Sequence, residues 1–130
     1  MKWSRLVLAT FFVVAGIGHL VAPTPYLRIM PSFVPWPEAI VAVSGIAEVC
    51  GGLGLLTRAT RRWAGWGLIA LLVAVFPANI QALFTGLTIA GHAAPAWLLW
   101  ARLPLQPALI VWVYYASLHI RKSGSHPPRP

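Results

Sequence analysis

Four apolar stretches take up most of this 130-residue chain, each near the roughly 20 residues a helix needs to cross a bilayer. They run about Trp3 to Ala22, Glu38 to Thr57, Trp63 to Phe84 and Pro104 to Ile120. Only 9% of the residues are charged. A soluble domain carries roughly a quarter charged residues, so the solvent for this chain is lipid. The expected fold is all-α: an integral membrane four-helix bundle over residues 1–120, followed by a disordered basic cytoplasmic tail at 121–130. The first stretch has a basic start and an apolar middle, as a signal peptide does. Leu20-Val21-Ala22 is a poor cleavage site and Pro23 follows it, so it reads as a retained anchor.

The net charge of +8 invites a nucleic-acid reading, which its distribution opposes. Lys2 and Arg5 stand at the start of the first stretch. Arg58, Arg61 and Arg62 lie between the second and third, and Arg121, Lys122 and Arg129 follow the fourth. Only Arg28 and Arg102 fall on the other side. Positive charge marks the cytoplasmic side, which places both termini there. The basic residues then face anionic lipid headgroups, and no basic, aromatic-rich face is left for nucleic acid. The single cysteine, Cys50, cannot form an internal disulfide and reads as a small packing residue.

The first outer loop, PTPYLRIMPSFVPWP from Pro23 to Pro37, holds five prolines and is too apolar for a free loop. A short helical turn around Tyr26 to Met30 and an extended piece along the membrane surface fit it, lidding the outer end or anchoring at the interface. The second outer segment, Thr85 to Leu103, reads as a loop plus an interfacial turn. Small residues should let the first two helices approach closely: Ala15, Gly16 and Gly18 on one, and Ser44, Gly45, Ala47, Gly51, Gly52 and Gly54 on the other.

One of only two acidic residues, Glu48, lies inside the second apolar stretch, roughly 14 Å below the outer surface at 1.5 Å per residue. A carboxyl group at that depth is tolerated when it faces protein, finds a partner or stays neutral. His19, Asn79 and Gln106 also fall in the outer half, and Arg102 sits at the mouth of the fourth stretch. Asn79 and Gln81 are about 200° apart around a helix, so only one can face inward. Asn79 is the choice, because Pro77 loosens the local backbone. The expected arrangement is one buried polar cluster of Glu48, Arg102, His19, Asn79 and Gln106. Two readings of it stand side by side: a structural ion pair between Glu48 and Arg102, or a pocket for the head of an amphiphile. His19 and His119 fall at opposite faces, so no shared metal site is expected.

Several segments together resemble the DoxX-like family of small four-helix bacterial membrane proteins: AGIGHL, PYLRIMPSFVPWP, SGIAEVCGGLGLL, RRWAGWGLIALLVAVFPANI and RLPLQPALIVW. The resemblance implies a left-handed four-helix bundle in the bacterial cytoplasmic (inner) membrane, with both termini inside. It carries His19, Glu48, Asn79, Arg102 and Gln106 as positions within family motifs, and it implies a redox association. This chain lacks the cysteine pairs of the disulfide-linked relatives, and no haem ligand pair, flavin fingerprint or cysteine cluster supplies electrons. No intrinsic cofactor and no self-contained catalysis are therefore expected. The functional expectation is a redox-associated membrane protein holding a quinone or lipid-like ligand in the outer half of the bundle. The alternative is a non-catalytic accessory or assembly subunit of a larger membrane complex. Expected partners are membrane lipids, together with other membrane subunits or further copies of the chain. A transporter is disfavoured because the inner half shows no polar lining.

Overall fold

The computed structural model describes residues 2–86, 88–89 and 92–119. The predicted tail at 121–130 and the end of the predicted domain at residue 120 lie outside them. Helix α1 spans Lys2–Val21, the short α2 Thr24–Arg28, α3 Pro37–Gly54, α4 Arg61–Thr85 and α5 Ala96–Ser117. Between α4 and α5 a small antiparallel hairpin joins β1, Thr88–Ile89, to β2, His92–Ala93. The protein is all-α apart from this hairpin, and α1, α3, α4 and α5 are each long and apolar enough to cross a membrane.

Local chemistry sets the boundaries. Pro37 opens α3, where a missing N–H costs nothing. Trp36, which precedes it, is held in the left-handed region at φ 48°, so the chain reverses sharply from the loop into the helix. Gly86, at φ 74°, ends α4 and donates its N–H to the Ala82 carbonyl. At the other end of α3, Thr60 Oγ1 donates to the Gly54 carbonyl at 2.9 Å and Arg61 Nε to the Leu55 carbonyl at 3.0 Å, satisfying carbonyls the helix leaves free.

The fourth long helix departs from the sequence reading. It begins at Ala96, two turns before the expected Pro104, and carries both Pro104 and Pro107 inside it. Pro104 is the start the sequence reading expects, whereas Pro107 falls inside the expected stretch. In an apolar helix, neighbouring helices and side chains can satisfy the backbone groups that proline frees. Trp97, Trp100 and Arg102 consequently sit on a helix rather than on a loop and turn.

Helix α3 packs on both α1 and α4, and α4 on α5. The small residues of α3 are divided between two neighbours. A Cβ on Gly45 would stand 2.8 Å from the Gly16 carbonyl oxygen, and one on Gly52 would stand 2.9 Å from that of Ala9. Gly51 and Gly54 instead meet Leu68 and Ala64 of α4. At the end where the termini lie, Leu8, Phe12, Leu55, Leu68, Leu72, Leu109, Val113 and Ala116 form a continuous core. At the α2 end, Ile29, Ala82 and Leu99 form a second, smaller one. The α1–α5 seam is the loosest. Trp112 Nε1 donates to Ser4 Oγ across it near the termini.

Candidate functional site

Between the two cores lies a cavity of about 480 Å³, within the range of pockets that hold small organic ligands. Its floor is Phe12, Leu72 and Leu109, and its roof is Ile29, Met30, Pro31, Phe33 and Val34 of the α2 loop. The apolar loop thus lies over the cavity. All five residues of the expected polar cluster line it, namely His19, Glu48, Asn79, Arg102 and Gln106, and Ser44 and Tyr26 join them.

The cluster divides into two groups. Gln106, only 4% exposed, accepts a hydrogen bond from Asn79 Nδ2 and donates through Nε2 to the Leu72 carbonyl. This amide pair ties α5 to α4, and it agrees with the choice of Asn79 as the inward residue. Across the cavity, the close crossing at Gly16 and Gly45 brings α1 against α3. His19 Nδ1 then lies 3.0 Å from Ser44 Oγ, and His19 Nε2 lies 3.5 Å from Glu48 Oε2. His19 and Glu48 are each 13% exposed, so Glu48 faces protein. Its Oε2 is buried without a hydrogen-bond partner.

Among the described residues, the basic group within ion-pair distance of Glu48 is His19 rather than Arg102. Arg102 lines the same cavity from α5 but makes no direct pair with the carboxyl group. The reason is the fold: Glu48 faces its neighbour across the α1–α3 glycine contact, whereas Arg102 enters from a helix that α3 does not pack against.

Two contributors were missed from the sequence. Tyr26, from α2, packs its ring against His19 at a tilt of 57°, with centroids 4.0 Å apart. Burial pushes its phenol above the usual tyrosine range, the Glu48 carboxylate adds to this, and Arg102 acts in the opposite sense. Ser44 was read only as a small packing residue. Its position four residues before Glu48, on the same helix face, was the available signal. Cys50, read as a packing residue, is exposed and borders a shallow groove between α3 and α4.

Residues 8–117 match the model of a family described as a domain of unknown function (DUF8561), and the chain belongs to that family. Neither a curated protein nor a solved structure matches it.

Proposed function

We propose that this is a multi-pass protein of the bacterial inner membrane, DoxX-like in type, whose four long helices form a bundle that holds the polar head of a membrane amphiphile in its outer half. The observation that carries this reading is the cavity, with its apolar wall and its polar groups converging from α1, α2, α3, α4 and α5. The α2 end is the outer end, because the basic residues gather at the other. The head of a quinone or a lipid-like molecule lies among His19, Glu48, Tyr26 and Arg102. Its tail leaves along the loosely packed α1–α5 seam, where the lining residues Phe11 and Leu105 are 44% and 50% exposed. Redox chemistry at this site requires a partner that brings the electron carrier, in keeping with the redox association the DoxX-like resemblance implies.

The test is organic extraction of protein purified in mild detergent, followed by mass spectrometry. A discrete amphiphile, retained by the native chain and lost from Glu48→Met and His19→Ala variants, is expected. Bulk phospholipid alone, unchanged in both variants, overturns the reading. A second reading, an accessory subunit without a ligand, is favoured by Phe33 and Trp36, which stand 80% and 78% exposed on the outer loop and offer a partner an apolar contact. It predicts a defined complex that Phe33→Ser and Trp36→Ser disrupt without changing the extracted lipid.

A further inference from the structure

The hydroxyl of Ser44 bridges His19 and its own helix, and this orders the protons of the cluster. Ser44 Oγ has one hydrogen, and it donates that hydrogen to the Val41 carbonyl at 2.8 Å. With that hydrogen engaged, Ser44 accepts from His19 Nδ1 at 3.0 Å, and Nδ1 carries the hydrogen of the ring. In a neutral imidazole the other nitrogen, Nε2, is then a bare acceptor. That acceptor stands 3.5 Å from Glu48 Oε2, a buried oxygen with no other partner. Two lone pairs cannot face each other in a dry site without cost.

We infer that His19 and Glu48 share a single proton between Nε2 and Oε2, in an orientation fixed by Ser44, and that this neutral pair is the acceptor for a hydroxyl-bearing amphiphile head. The proton sits either on the carboxyl oxygen, donated to Nε2, or on the imidazole, donated to the carboxylate. The pair has no net charge in either form. One acid proton and one bare nitrogen satisfy each other, and Oε1 of Glu48 is left as an acceptor toward the cavity that Glu48 lines. An O–H group meets that oxygen; an ether or ester oxygen does not. Among the described residues, Tyr26, packed at a tilt against His19, and Arg102, across the cavity, are the other titratable groups facing the pair. The inference rests on the amphiphile reading for the ligand, but the proton arrangement stands independently of it.

Two measurements test it, both on the full chain in phosphatidylcholine vesicles. The first is nitrogen NMR of isotope-labelled histidine without added ligand, with a His19→Asn variant to assign the signal. Expected is either the neutral Nδ1–H form or the imidazolium, with Glu48→Gln retaining Nδ1–H because its amide can donate to Nε2. Ser44→Ala should admit the Nε2–H form. A neutral Nε2–H ring in the native protein overturns the shared proton, whatever the fate of the amphiphile reading. The second measurement compares para-octylphenol with para-octylanisole, which differ by the hydroxyl hydrogen and a methyl group. The phenol should bind about tenfold more tightly, as one added hydrogen bond allows, and Glu48→Met should abolish the difference. Equal binding of the two by the native chain, or no binding of the phenol, overturns the hydroxyl preference. A discrete extracted amphiphile lost on Glu48→Met would still leave the broader ligand reading in place.

Discussion

Gly16 and Gly45 cross with so little space between them that a Cβ added to Gly16 would stand 2.5 Å from the Gly45 carbonyl oxygen, and one added to Gly45 would stand 2.7 Å from the Cβ of His19. In lipid no hydrophobic drive holds helices together, so approach distance and shape decide which of them pack. This contact also sets the separation of His19 from Ser44 and Glu48.

Gly45→Ala should therefore act on stability and on the site together. The added methyl meets backbone and a Cβ rather than the end of a flexible side chain, so α1 and α3 must move apart. Overpacking of this kind costs about 1–3 kcal/mol. Unfolding in mild detergent should show the loss, and the His19 ring signals should shift. Gly67→Ala is the control, since nothing lies within 4 Å of the added Cβ, and it should leave both unchanged.

The Asn79–Gln106 pair is a second joint, between α4 and α5. A double-mutant cycle with Asn79→Ala and Gln106→Ala should return a favourable coupling of about 0.6 kcal/mol, the average for polar contacts between membrane helices, and no more than about 1.7 kcal/mol. Gln106→Ala should cost more than Asn79→Ala, because Gln106 also donates to the Leu72 carbonyl. Additive single effects would show that the two amides act independently.

Tyr26 provides a pH signature outside the long helices. Its phenol is held above the ordinary value, so the folded chain keeps a proton that the unfolded chain releases above about pH 10. The contribution is fully present below that pH and is lost as the pH climbs through the higher folded value. Phenolate absorbance should show one tyrosine titrating late, and Tyr26→Phe should remove it. The same variant should show a smaller loss of stability on the alkaline side.

The α1–α5 seam predicts opposite effects from two substitutions. Ala15→Phe fills the cavity beside the seam, and Phe11→Ala widens its mouth. The first should reduce the amphiphile recovered by extraction, and the second should speed its exchange with added vesicles. Circular dichroism should show helix content unchanged in both. Equal recovery and equal exchange in the two variants would place the tail elsewhere.

Orientation is open to a direct check. In a Cys50→Ala background, a cysteine at Thr60, exposed in the α3–α4 connection, should react with an impermeant thiol reagent only from the cytoplasmic side. A cysteine at Phe33, 80% exposed at the α2 end, should react only from the outside. The reverse pattern would invert the assignment made from basic residues.

Much of this architecture was legible because lipid imposes simple rules. Apolar length marked the four long helices, and the expense of burying polar groups in lipid grouped Glu48, His19, Asn79, Gln106 and Arg102, all of which line one cavity. Pro104 was misleading, because its usual meaning as a boundary is weaker where neighbouring helices can satisfy a freed carbonyl. Of the two readings of the cluster, the Glu48–Arg102 ion pair is the one the distances do not favour, for a different reason. Charge alone favours an arginine, but helix adjacency decides reach, and the small residues of the first two long helices already pointed to the α1–α3 approach that brings His19 to Glu48. The proton chain through Ser44 depends on a side-chain hydrogen bond to its own helix, which spacing along the sequence leaves open.

The half of the molecule near the termini is filled by Leu8, Phe12, Leu55, Leu68, Leu72, Leu109, Val113 and Ala116. Among the described residues this core is wholly apolar, and the cavity stops against it at Phe12, Leu72 and Leu109. Under the proposed function, a molecule that enters at the α2 end leaves again on the same half of the bilayer, and the protein is a receptacle that takes up and returns its guest within one leaflet.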